Sequence, residues 1–145
     1  MKRFHVHLGV PDLAASIRFY SNLFGRPPAI EKPDYAKWML DDPRVNFAVS
    51  QRTSNAGLSH LGLEAESASE LAQIRASFAA ADPSLLVDEP NARCCYAEGN
   101  KHWTRDPQGI AWEGFQTTAT LASAAQCCAP QVAPSTTERQ AAKCC

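Results

Sequence analysis

The stretch Arg3-Phe-His-Val-His-Leu-Gly-Val-Pro-Asp-Leu-Ala-Ala-Ser-Ile-Arg-Phe-Tyr20 changes its period partway along, and that change decides the fold. Residues 3–10 alternate as a strand does. Asp12 then caps a segment in which Leu13, Ile17, Phe19, Tyr20 and Leu23 follow a helical period. Gly25 closes the helix, where a left-handed residue is easiest. Extended stretches follow near residues 29–32, 36–40 and 45–50, with Asp41-Asp42-Pro43 as a turn.

The same order then returns. Residues 58–64 read as a strand and 67–81 as a helix capped by Ser67, with Glu70 at its third position. Further extended stretches are expected at 85–89, 94–97, 102–105 and 110–115, with Asp106-Pro-Gln-Gly109 as a turn. His5 and His60 occupy equivalent places, as do Asp12 and Ser67. The economical reading is an α+β domain of two β-α-β-β-β modules, about residues 1–52 and 57–116. Each apolar sheet face then needs a helix or the other module to cover it.

Composition sets outer limits. The chain has 145 residues, enough for one domain, and a formal charge of -1 with no basic stripe, so nucleic acid is not expected as a partner. No apolar run approaches the ~18 residues of a membrane helix. The first residues enter a strand pattern directly rather than a signal-peptide core, so a cytoplasmic location is expected. Residues 117–145 are rich in Ala, Thr, Ser, Gln and Pro, a composition that cannot offset its own ordering entropy. They are expected to form a flexible tail.

All six cysteines occur as neighbours: Cys94-Cys95, Cys127-Cys128 and Cys144-Cys145. Adjacent cysteines make strained disulfides, and as reduced thiolates they are soft donors suited to thiophilic metals and metalloids. A trivalent arsenic centre can exchange two hydroxyls for two such thiolates. The two tail doublets suit metal capture, against the plainer alternative of a passive extension.

A second donor set lies on the strands. His5, His60 and Glu113 stand at matching strand positions, and two imidazoles with one carboxylate form a facial triad that leaves positions open on a divalent metal. Glu113 sits between aromatics in Ala111-Trp-Glu-Gly-Phe115, where an ionised carboxylate is costly unless something compensates it. His5 and His7 share a strand face, so spacing alone leaves either as the first ligand.

Residues 5–20, Ser59-His-Leu-Gly-Leu63 and Thr104-Arg-Asp-Pro-Gln-Gly-Ile-Ala-Trp-Glu113 resemble the three signatures of the vicinal oxygen chelate superfamily. That superfamily includes glyoxalases, extradiol dioxygenases and antibiotic-resistance proteins. Asn91-Ala-Arg-Cys-Cys-Tyr-Ala97 with Lys101-His-Trp103 is similar to a narrower group, the organoarsenical carbon–arsenic lyases and the cadmium-induced proteins grouped with them.

The resemblance implies metal ligands at His5, His60 and Glu113, His5 rather than His7 because it lies seven residues before Asp12. It implies arsenic-binding, catalytic thiols at Cys94 and Cys95, and further substrate contacts at Tyr96, Lys101 and Trp103. Glyoxalases of this superfamily take a fourth ligand from the last strand of the first module, where Phe47, which cannot coordinate, is expected here. The activity implied is that of an Fe(II)- and dioxygen-dependent lyase that converts trivalent organoarsenicals to inorganic arsenite. Tyr35, Trp38, Tyr96 and Trp103 are candidate walls for the organic group. The rival expectation is a non-catalytic protein that binds cadmium or arsenic, As(III) or Cd(II), through its thiol pairs. A homodimer is compatible with either.

Overall fold

The computed structural model describes residues 1–53 and 55–122, so the two tail cysteine pairs lie outside the described residues. Strand β1 (Arg3–Gly9) leads into helix α1 (Leu13–Phe24), then β2 (Ile30–Lys32), β3 (Tyr35–Asp41) and β4 (Arg44–Ser50). The second module runs β5 (Gly57–Glu64), α2 (Ala68–Ala81), a short 3-10 turn, β6 (Val87–Cys94), β7 (Ala97–Arg105) and β8 (Ala111–Thr120). All eight strands join one curled sheet in the order β2-β3-β4-β1-β5-β8-β7-β6. The paired modules expected from the repeat are present.

Both helices start and stop where their end residues dictate. The Asp12 carboxylate accepts from the Ala15 N–H at 2.9 Å, and Gly25 ends α1 with φ of 66°. Ser67 Oγ accepts from the Glu70 N–H at the start of α2. Each helix covers the convex face of its own module. Leu13 of α1 packs with Trp38, Leu40 and Val49, and partly buried Phe47, Ile17, Tyr20 and Phe24 join them. Leu71, Ile74 and Phe78 of α2 pack against Leu63 and Trp112. Trp38 therefore belongs to this core, with its indole N–H donating to the Arg26 carbonyl at 3.1 Å; it is not a wall of the site. Period-two alternation sends its neighbours Tyr35 and Lys37 to the concave side.

Two details depart from the expected elements. Residues 94–97 do not form an extended stretch: Cys94 pairs with Ala97, and Cys95 and Tyr96 turn the chain with φ of 49° and 67°. Two left-handed residues in a two-residue hairpin loop make the pattern of a type I′ turn, which ordinarily selects Asn and Gly. The other concerns β8, which carries the sheet beyond residue 116. It pairs with β7 as far as Thr120, and Leu121 N–H donates to the Tyr96 carbonyl at 2.7 Å.

The concave face lies where the modules meet. β1 and β5 run antiparallel through the middle of the sheet, with His7 opposite His60 and His5 opposite Gly62. Each is flanked by the last strand of its own module, β4 beside β1 and β8 beside β5, both parallel.

Candidate active site

Register brings the two histidines together. His5 and His60 lie two residues out of register on neighbouring strands and so share a face, with their Nε2 atoms 3.3 Å apart. Glu113 enters from β8, opposite Gly62. A β-carbon on Gly62 would stand 2.3 Å from the Glu113 carbonyl oxygen, so this close approach of β5 and β8 requires glycine. Glu113 Oε2 lies 3.4 Å from His60 Nε2 and 3.8 Å from His5 Nε2. Bonds of ~2.1 Å to one metal at angles of 90–109° separate neighbouring donors by ~3.0–3.4 Å, so these spacings suit a shared ion after small adjustment.

The hydrogen bonds behind the triad orient it. His5 Nδ1 faces the Asn46 carbonyl at 3.0 Å. A carbonyl only accepts, so Nδ1 carries the proton and the Nε2 lone pair points at the site. His60 Nδ1 has Ser59 Oγ at 3.1 Å. Burial pushes the His5 pKa down to about 4, which leaves the ring neutral and ready to coordinate. Glu113 is 3% exposed. Burial, the largest single influence, would raise its pKa, but the Lys101 ammonium, 2.5 Å from Oε1, together with His60 and His5 outweighs burial and holds it well below the usual carboxylate range. An anion, the His5 Nε2 lone pair and the His60 imidazole in a buried spot fit a divalent cation.

His7 stays outside this set. It lines the same cavity, but its Nε2 engages Ser50 Oγ at 2.9 Å, and among the described residues the group able to share one ion is His5, His60 and Glu113.

The cysteine pair borders the same cavity, of about 110 Å³. The Cys94 and Cys95 sulfurs are 3.4 Å apart, well beyond the ~2.05 Å of a disulfide. On a regular strand, neighbours face opposite ways. The left-handed turn at Cys95 instead lets both residues line the cavity. Burial pushes the Cys95 thiol up to about 11, so it is protonated at neutral pH. The turn is tied down across the cavity mouth. Tyr96 O–H donates to Asp34 at 2.8 Å, Asp34 pairs with Arg52 at 2.6 Å, and the Arg52 guanidinium lies 4.8 Å from the Tyr96 ring centre.

Lys101 lines the cavity while paired to Glu113, and Trp103 packs edge-on to His60 at 5.4 Å with its indole N–H donating to Glu89. Sequence reading did not find Asn46, Asp34 or Arg52, whose roles come from partners distant in the chain, nor Ser59, whose partner is the adjacent His60. It also misplaced the fourth-ligand position. Register sets Glu113 opposite Gly62 and, in the equivalent place of the first module, Ala48 opposite His7. Phe47 faces α1 on the other side. Ala48 cannot coordinate either, so the position still carries no donor.

A family model described as the glyoxalase/bleomycin resistance protein/dioxygenase superfamily matches residues 2–113. A trivalent organoarsenical cleaving enzyme from Bacillus sp. (strain MD1) is 42% identical over 123 residues, covering 83% of this chain and 76% of that relative. Cadmium-induced protein CadI from Mycobacterium tuberculosis is 35% identical over 122 residues, covering 82% and 78%. Among solved structures, an extradiol ring-cleaving dioxygenase from B. fuscum matches with a TM-score of 0.59 at 17% identity, over 81% of this chain and 32% of that one. At that identity the likeness concerns the fold.

Proposed function

This chain belongs to the glyoxalase/bleomycin resistance protein/dioxygenase superfamily, and on that premise we propose that it cleaves the carbon–arsenic bond of trivalent organoarsenicals with Fe(II) and dioxygen. The observation that carries this reading is the opening of the adjacent cysteines Cys94 and Cys95 and a His-His-Glu donor set into one cavity. The relative named as a trivalent organoarsenical cleaving enzyme supports it.

Capture comes first. A methyl- or arylarsenite carries two hydroxyls on arsenic; with the protein reduced, the Cys94 and Cys95 thiols displace them, forming two As–S bonds and releasing two waters with no change of oxidation state. The tether converts an encounter between substrate and site into a fixed geometry. The hairpin holding the thiols is fastened by Tyr96, Asp34 and Arg52, so the captured arsenic keeps its place on the cavity wall. His5, His60 and Glu113 would hold Fe(II), which supplies an open coordination site and the electron for dioxygen chemistry. Asn46 and Ser59 keep the imidazoles turned inward, and Lys101 holds one carboxylate oxygen so that the other faces the histidines. Trp103 and Phe115, both buried, line the same cavity.

A second reading comes from the cadmium-induced relative: a protein that holds soft metals on its thiols and performs no chemistry. Product analysis separates the two. Full-length protein with Fe(II) in air and excess methylarsenite should release inorganic arsenite over many turnovers. Stoichiometric retention of methylarsenite, with no arsenite formed, would favour sequestration and sink the lyase reading.

A further inference from the structure

The two modules exchange residue sizes around the site. Gly62 on β5 faces the large Glu113 on β8, whereas the large His7 on β1 faces the small Ala48 on β4. The place that mirrors Glu113 is therefore floor rather than ligand. Ala48 is 1% exposed and borders the cavity.

Its neighbours place that floor between the two chemical groups. Ala48 clusters with Tyr35 and Tyr96, and Cys95 packs against this cluster. On the other side Ala48 pairs with His7, whose ring centre lies 4.8 Å from that of His60. A path from Cys95 to the triad thus runs over Ala48. Arsenic bound by two thiolates is pyramidal, with one further substituent directed away from the sulfurs. To meet the triad, that substituent must lie along this path. Its surroundings are the buried Tyr35 ring, the Ala48 methyl and the His7 ring. The cavity is of the order of the ~150 Å³ that admit benzene, so bulk at its floor decides between a methyl and an aryl group.

We propose that Ala48 is the seat of the organic group carried by arsenic, and that the size of residue 48 determines which organoarsenicals the thiol pair admits. The inference rests on the organoarsenical reading but concerns capture, which needs no metal.

The test measures affinities of metal-free, reduced full-length protein for phenylarsenite, methylarsenite and inorganic arsenite by titration calorimetry. Inorganic arsenite puts only a hydroxyl on the floor and reports the thiols alone. Ala48→Leu should weaken phenylarsenite at least about tenfold relative to inorganic arsenite, with methylarsenite between them; Ala48→Ser, nearly isosteric, should leave all three ratios unchanged. Ala48→Gly should keep or raise the phenyl-to-methyl preference, and it carries the test if the leucine variant fails to fold by circular dichroism. Equal shifts for all three ligands in Ala48→Leu, or a phenyl-to-methyl preference lowered in Ala48→Gly, would overturn the assignment. Wild-type protein that captures organoarsenicals with this size dependence yet never releases arsenite with Fe(II) and air would refute cleavage and leave the seat standing.

Discussion

Glu113 divides its two oxygens between two tasks: Oε1 takes the Lys101 ammonium, and Oε2 faces the imidazoles of His5 and His60. The thiols sit apart from this group, so the two halves of the proposed chemistry should separate by mutation. Cys95→Ser should lower methylarsenite affinity about 100-fold or more, because a hydroxyl is a poor donor to soft arsenic, with Fe(II) binding within about twofold. Glu113→Gln should do the reverse, losing Fe(II) affinity by at least the about 10–100-fold that even an outer partner contributes. Parallel loss of both properties in both variants would mean that the fold had failed instead.

The Cys95 thiol adds a pH expectation. Its pKa is pushed up to about 11 by burial, so it remains protonated at neutral pH, and its proton leaves in water with an arsenic hydroxyl. Its step therefore takes up and releases no net proton, so Cys95 should add no pH dependence to methylarsenite affinity between about pH 6 and 9, weakening it only as the thiol ionises above that range. The sign comes from mass action: a thiolate would have to expel hydroxide, which a higher pH opposes. Affinity falling about tenfold per pH unit from neutrality upward would show an ionised thiol instead.

Among the elements, the middle strands were the most legible from sequence, because alternation and the paired Asp12 and Ser67 caps repeat in both modules. His5, His60 and Glu113 could be singled out for the same reason. The hairpin of Cys95 and Tyr96 was not legible, since its left-handed pair has neither Gly nor Asn and reads locally as strand. Such backbone costs ~1–3 kcal/mol per residue and persists only where its surroundings enforce it, here through the Tyr96–Asp34 bond. The Lys101–Glu113 pair and the Ala48 floor were hidden for another reason: they depend on register, and a shift of one residue turns every side chain to the other face. Gly62 offers a test at this scale. Gly62→Ala would force β5 and β8 apart beside Glu113, so Fe(II) affinity should drop about tenfold while inorganic arsenite still binds the thiols normally. Unchanged Fe(II) affinity would show that the close approach does not set the carboxylate's position.

Across the whole molecule, duplication supplies the site and asymmetry gives it direction. Two modules bring two histidines together at their shared centre, the second adds the carboxylate and the thiol hairpin, and the first leaves Ala48 where a donor would stand. The first module also holds the hairpin in place from across the cavity, through Asp34 and Arg52. No helix among the described residues is long and apolar enough to cross a membrane. The described sheet thus contains both donor sets of the proposed reaction. The most direct test loads reduced full-length protein with Fe(II) and one equivalent of methylarsenite under argon, then admits air and tracks arsenic speciation. Expected is stable thiol-bound methylarsenite under argon, then one equivalent of inorganic arsenite after oxygen enters. Arsenite released under argon, or none after oxygen with both Fe(II) and methylarsenite still bound, would contradict the proposed chemistry.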